Sequence, residues 1–169
     1  MRQEYIEVGQ IVNTHGIKGE MKINPLGFDP EFIAGFKTLY VDGVAIRPVS
    51  RRIHKNTVLV VFPGVEDIDT ALTYKNKMVS IRRSDAHLPK GEYFDEELKG
   101  LKVYDYFPPR LIGTLDQVLH YPAHKIYVVH GDGKEYLIPA VPEVFIMEIK
   151  MDENKMIVRM MKGLETDAH

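Results

Sequence analysis

Apolar and polar positions along the chain change in short runs rather than in helical turns. β-Branched and aromatic stretches of about four to eight residues are separated by Gly, Pro, Asn and Asp, the pattern of short antiparallel strands. In the first half this predicts strands near Glu7 to Asn13, Glu20 to Asn24, Leu39 to Val41, Ala45 to Ile53, Thr57 to Phe62 and Met78 to Ile81. Asp42-Gly43 falls between two of them as a hairpin turn, where both residues take positive φ. One helix interrupts the pattern. Asp67 suits its N-cap, Asp69 complements the positive end of its dipole, and Ile68, Ala71 and Leu72 share one face, which is expected to plug a barrel end.

Residues Ser84 to Gly91 lose this periodicity and contain Pro89 and Gly91, which marks a linker. Strands resume near Leu101 to Tyr104, Gly113 to Leu119, Ile126 to Val129, Glu135 to Ile138, Val144 to Lys150 and Met156 to Met160, with turns at Asp132-Gly133 and Glu153-Asn154. The expected organisation is an N-terminal β unit over residues 1–84, a linker over 85–91, a second β unit over 92–164 and a frayed tail over 165–169. The expected fold is all-β, mostly antiparallel, with one short helix, in two small six-stranded β-barrels. Closing each sheet into a barrel removes its exposed edges.

Composition narrows the class. The 169 residues are 44% hydrophobic and 27% charged, enough apolar content to bury a core in one medium domain or two small ones. The longest apolar run, Val58 to Pro63, is far short of the roughly 20 residues that span a bilayer. The opening MRQEYIEVGQ carries acids and lacks the apolar core of a secretion signal, so no membrane association and a cytoplasmic location are expected. With no cysteine, disulfides and thiolate chemistry are excluded. Charge is uneven: residues 1–91 hold 13 Lys+Arg against 10 Asp+Glu, net +3, whereas residues 92–169 hold 9 against 14, net −5. A mildly basic half and an acidic half fit two partners of opposite sign, and fit ordinary surface variation equally well.

Two stretches carry candidate chemistry. In VGQIVNTHGIKGEMKI, from Val8 to Ile23, a Gly-rich turn over Thr14 to Gly19 joins two apolar strands. Gly16 and Gly19 can take positive φ or admit close backbone approach, so the turn can lie against a phosphate backbone with His15 and Lys18 as donors. The same residues suit an ordinary tight turn, since Gly marks turns of every kind. Arg47, Arg51, Arg52, Lys55, Lys75, Lys77, Arg82 and Arg83 gather in the first half. Lys75 and Lys77 are explained by the C-terminal end of the helix dipole. Arg51-Arg52 is not, because strand alternation puts one of the two on an inner face unless the strand lies at an edge or bend.

The second stretch is Tyr93-Phe94 followed by Asp95-Glu96-Glu97. One ring is expected to pack inward and the other to sit at a rim. Aromatics beside acids suit a basic protein partner, and two rings that simply seal a barrel fit as well. The prolines of Ile138 to Pro142 read as structural, ending a strand. Pro122 lies between His120 and His124, and no HExxH, GxSxG, GxGxxG or P-loop pattern occurs. No metal site, cofactor or catalytic residue is expected.

Taken in order, Gly9, His15, Gly16 and Gly19, then Tyr93, Phe94, Leu98, Gly100 and Val103, then Ile112-Gly113, Tyr136 to Glu143 and Lys162-Gly163-Leu164, resemble the RimM family of ribosome maturation factors over most of the chain. The resemblance implies a first barrel like those of translation factors and a second of the PRC type. It implies a non-enzymatic, monomeric factor that acts on the immature 30S subunit and assists 16S rRNA processing and folding. Tyr93, Phe94, Asp95 and Glu96 would bind small-subunit ribosomal protein nineteen, and His15, Gly16, Lys18, Gly19, Arg51 and Arg52 would contact RNA or the ribosome.

Replacing Tyr93 and Phe94 by Ala is expected to weaken protein association with the fold intact. Departures from the family pattern are Phe94 where a second Tyr is common, Phe107 to Arg110 in place of an acidic turn, His120 to His124 in place of a more polar loop, and Ala140 at a larger apolar position. A general RNA-binding barrel protein, or an enzyme or regulator built on a PRC-type barrel, are the alternatives.

Overall fold

A computed structural model of the chain describes residues 3–167, with side chains as far as Leu164. The residues form two compact units, Gln3–His87 and the chain from Leu88 onward.

The first unit runs β1 (Tyr5–His15), β2 (Glu20–Pro25), α1 (Pro30–Ala34), β3 (Leu39–Val41), β4 (Val44–Ile46), β5 (Ser50–His54), β6 (Thr57–Val61), α2 (Ile68–Leu72) and β7 (Met78–Arg82). Its sheet is antiparallel in the order β4-β3-β7-β1-β2-β6-β5. Strand β1 pairs with β2 on one side and β7 on the other, and its register shifts at Ile11/Asn13 and Glu7/Gly9 bend it between them. Gly9 lies so close to β2 that a Cβ there would stand 2.6 Å from Ile23 Cγ2. The core takes alternating side chains from Met21 and Ile23, and from Val79 and Ile81. In β6, Val58, Leu59 and Val60 are all buried, a continuous apolar run, and α1 packs against β5 and β6.

The expected strand from Ala45 to Ile53 is two strands. Pro48 cannot donate to a ladder, and the break at Arg47 to Val49 lets the chain change partners, β4 pairing with β3 and β5 with β6. The Val49 amide donates to the Val61 carbonyl at 2.7 Å, where pairing with β6 begins. This split raises the sheet from the six strands expected to seven.

The expected helix is present, with the Asp67 carboxylate accepting from the Thr70 amide at 2.7 Å. It packs against β1 and β2 through Ala71, whereas Leu72, expected on the same inward face, is exposed. Two further short helices accompany it. Asp29-Pro30 opens α1, the proline at its first turn, and Ile33 is buried beneath it.

The second unit contains α3 (Asp95–Leu98), β8 (Lys102–Asp105), β9 (Arg110–His120), β10 (Lys125–Gly131), β11 (Lys134–Pro139), β12 (Ile146–Lys150), β13 (Lys155–Val158) and β14 (Glu165–Asp167). The order is β12-β13-β8-β9-β10-β11-β14, antiparallel except for the parallel pair β8 and β13. Leu101, Val103, Leu115, Val129, Ile138 and Met156 lie in its core. Gly113 on β9 and Gly131 on β10 permit a close crossing, since a Cβ on Gly131 would stand 2.0 Å from the Ile112 carbonyl oxygen.

Both expected Asp-Gly turns have positive φ at both residues. Glu153-Asn154 differs from a simple hairpin turn: a 3-10 turn over Met151–Glu153 closes on Asn154 at φ 55. The tail expected to fray instead adds a strand, Glu165–Asp167 pairing with Lys134 to Tyr136 of β11 and bringing this sheet also to seven. Ala168 and His169 lie outside the described residues.

Candidate functional site

The turn between β1 and β2 carries both glycines at positive φ, +72 at Gly16 and +85 at Gly19, but their surroundings differ. Gly16 faces open space. Gly19 is buried, and a Cβ there would stand 2.5 Å from the Val65 carbonyl oxygen, so its close approach is to the chain's own segment before α2. Ile17 and Lys18 between them are exposed.

Sheet pairing carries one face of β2 across to β5. β2 pairs with β6 and β6 with β5, placing Lys22 opposite Leu59 and Leu59 opposite Arg52. The His15 and His54 rings lie 5.3 Å apart. Arg52 grips Glu20 with both arms of its guanidinium, Nε to Oε2 at 3.0 Å and Nη2 to Oε1 at 2.9 Å. That hydrogen bond is the main cause holding the Glu20 carboxyl below its ordinary value, helped by charge from Arg52, His15 and His54. The His54 ring is pushed down first by desolvation, then by His15, Lys55, Arg52 and Lys22. Among the described residues Lys18, Lys22 and Lys55 have no ion-pair partner.

The edge position of β5 resolves the Arg51-Arg52 question, for both side chains are exposed there. They diverge nonetheless. Arg52 joins the histidine and lysine cluster, while Arg51 donates to the Phe36 carbonyl beyond α1. Of the residues named from sequence, the sheet therefore brings together His15 and Arg52 through Glu20, to which it adds Lys22, His54 and Lys55, while Lys18 stays exposed on the turn. The Lys55-Asn56 turn between two β runs is a visible local signal, with Lys55 at φ 57. Nothing local signals that His54 beside it meets His15.

In the second unit, Tyr93 and Phe94 enter α3. Phe94 is the inward ring, 5% exposed, and Tyr93 is half-buried against the core. The Phe94 amide donates to Glu97 Oε1 at 3.1 Å and the Glu97 amide to the Phe94 carbonyl at 2.9 Å, so the fully buried Glu97 caps the helix start. Asp95 accepts from Lys125 Nζ at 2.9 Å and lies 2.6 Å from His120 Nε2. Burial, then the Asp95 charge, raises the Tyr127 hydroxyl above its ordinary value. Glu96 pairs with Lys99 at 2.8 Å. The acidic run is thus largely answered within its own unit, through His120 and Lys125, which sequence reasoning did not connect to it. His124 has a different partner, the Lys125 carbonyl at 3.1 Å.

Residues 6–86 match the RimM N-terminal domain, and residues 95–164 match the RimM PRC barrel domain. The chain belongs to the RimM family. It is 39% identical to the ribosome maturation factor RimM of Acetivibrio thermocellus over 172 residues, covering 97% of this chain and 98% of the relative. It is 35% identical to that of Clostridioides difficile, covering 95% of each. A solved structure of a RimM 16S ribosomal RNA processing protein from Pseudomonas aeruginosa is 27% identical, with TM-score 0.46, covering 92% of this chain and 97% of that one. In RimM terms, the histidine and lysine cluster lies in the N-terminal domain, and α3 with its aromatic pair opens the PRC barrel. Among the described residues no helix is long and apolar enough to cross a membrane.

Proposed function

We propose that this chain is a small-subunit assembly factor that works by binding and not by catalysis. Its first domain contacts 16S rRNA through the β1–β2 turn, and its second domain holds a basic ribosomal protein of the 30S head, small-subunit protein nineteen by family resemblance. The observation that carries the reading is the set of lysines without carboxylate partners, Lys22 and Lys55 around the paired histidines and Lys18 on the turn that follows His15. Family membership supports the ribosomal setting, since the relatives are named ribosome maturation factors.

Charge supports the division of labour, in a more local form than whole halves suggest. Counted over residues 3–87 there are 11 Lys+Arg and 10 Asp+Glu, net +1, and over residues 88–169 there are 10 and 14, net −4. The first domain is nearly neutral, so its attraction for phosphate resides in the cluster, whereas the acidic excess of the second is general. Complementary charge of this kind speeds encounter more than it adds affinity.

The test is co-purification of the tagged chain with immature small subunits, together with the salt dependence of binding to 16S rRNA fragments. If each of the three lysines covers one phosphate, log affinity falls against log salt with a slope of about 2 to 3. A flat salt dependence removes the RNA role. Recovery with free tRNA and mRNA as readily as with immature particles favours a general RNA-binding protein instead.

A further inference from the structure

We propose that His15 of β1, Lys22 of β2, His54 of β5 and the following Lys55 form a phosphodiester-binding site whose occupancy is coupled to protonation of the histidine pair. The inference rests on the RNA-contacting half of the proposed function and adds to it a specific ligand group, three residues from outside the Gly-rich turn, and a dependence on pH.

Geometry comes first. The rings of His15 and His54 are 5.3 Å apart, close enough for both to serve one tetrahedral anion. Lys22 stands opposite Leu59 and Leu59 opposite Arg52, two residues before His54, and Lys55 follows His54 directly; both lysines disfavour the charged form of His54. Arg52 also acts there, but its guanidinium is already engaged by Glu20. The cluster thus keeps two uncommitted lysine charges and two imidazole rings. The exposed Lys18 stands on the same turn as His15.

The other charged groups on the packed elements do not supply a competing anion. β6 carries no titratable residue between Thr57 and Val61. On the α1 side stand Glu31 and Lys37, and on the α2 side Glu66, Asp67 and Asp69, of which Asp67 is held by the Thr70 amide. None of these is among the influences that shift His54. Glu20 is the carboxylate within electrostatic reach of both rings, and Arg52 occupies it.

Proton coupling follows from the sign of the local field. Without a ligand, desolvation and four neighbouring cationic groups disfavour the His54 imidazolium. A phosphodiester placed between the rings brings a permanent negative charge that does not titrate in this range. It reverses the field and draws protons onto the histidines, so binding takes up protons and affinity rises as pH falls through the ordinary histidine range near 6.5.

The experiment measures binding of the full chain to a short mixed-sequence RNA oligonucleotide across pH, while NMR follows the histidine ring signals during titration with dimethyl phosphate. Binding at least about fivefold tighter near pH 5.5 than near pH 7.5, with His15 and His54 titrating at higher pH when dimethyl phosphate is present, is expected. His54→Gln should abolish most of that pH dependence. Lys55→Asn suits the positive φ of 57 and so spares the fold, yet should lower the salt slope by about 0.7.

Affinity independent of pH, a pH dependence unchanged in His54→Gln, or competition by polyglutamate as effective as by RNA would overturn the site. Co-purification with immature subunits reports on the assembly role separately. Retained co-purification with unmoved histidine signals rejects this site alone, and moved signals without co-purification support the site while rejecting that role.

Discussion

Replacing Gly19 by Ala tests whether the Gly-rich turn is held by the chain's own packing, with Gly16→Ala as its internal reference. Both residues sit at positive φ, where an L side chain costs about 1–2 kcal/mol. At Gly16 nothing lies within 4 Å of the added methyl, so the conformational cost is the whole cost. At Gly19 the methyl would stand 2.5 Å from the Val65 carbonyl oxygen, 2.9 Å from its carbon and 3.1 Å from the Glu66 nitrogen. These are backbone atoms and cannot rotate away. Pushing them aside adds about 1–3 kcal/mol, the usual cost of overpacking, for a total of about 2–5 kcal/mol.

The assay is urea unfolding of the full chain followed through amide resonances of β1 and β2, with those of β9 and β10 in the other domain as a control. Gly19→Ala should unfold the first sheet at clearly lower urea than Gly16→Ala. A difference below about 0.5 kcal/mol, the scatter of ordinary surface substitutions, would refute the claim that Gly19 is required by contact with Val65.

Phe94→Ala should cost about 3–5 kcal/mol because the ring is buried, whereas Tyr93→Ala should cost less; this replaces the expectation that the double variant keeps its fold, and far-UV circular dichroism during heating separates the two. Tyr93→Ala alone is then the cleaner probe of protein binding, by pull-down of the ribosomal protein. Arg52→Ala should return the Glu20 carboxyl toward its ordinary value of 4.5. Because the folded carboxyl is depressed, the pair's contribution is present above that pH and lost as pH falls through the folded value, so wild type and variant should converge in acid unfolding curves taken downward from pH 6. Gly113→Ala would put a methyl 2.3 Å from the His130 carbonyl oxygen and should destabilise the second domain by about 1–3 kcal/mol in urea titration, with amide signals of β1 unaffected.

What local chemistry encodes was legible in the chain. Strand periodicity, the Asp42-Gly43 and Asp132-Gly133 turns and the Asp67 cap depend on neighbours a few residues apart, and apart from the strand divided at Pro48 the structure has them at the expected places. Pro48 was equally visible, but its effect needed the sheet: a proline inside an apolar run says that a ladder is interrupted, and not that the two pieces go to opposite edges. The tail read as frayed because three polar residues carry no periodicity, yet the open edge of β11 supplied the hydrogen bonds that order them.

The sequence by itself determined an all-β chain of two units, its Gly-rich turn and its aromatic entry to the second unit, because propensity and turn geometry act over short distances. Only the tertiary structure decided which residues share a site. Glu20 and Arg52 are 32 residues apart, brought together by cross-strand register, and Asp95 and His120 are 25 apart, brought together where α3 packs against β9. Register is set by burying a whole face of the sheet at once, and that is a property of the assembled core rather than of any segment within it.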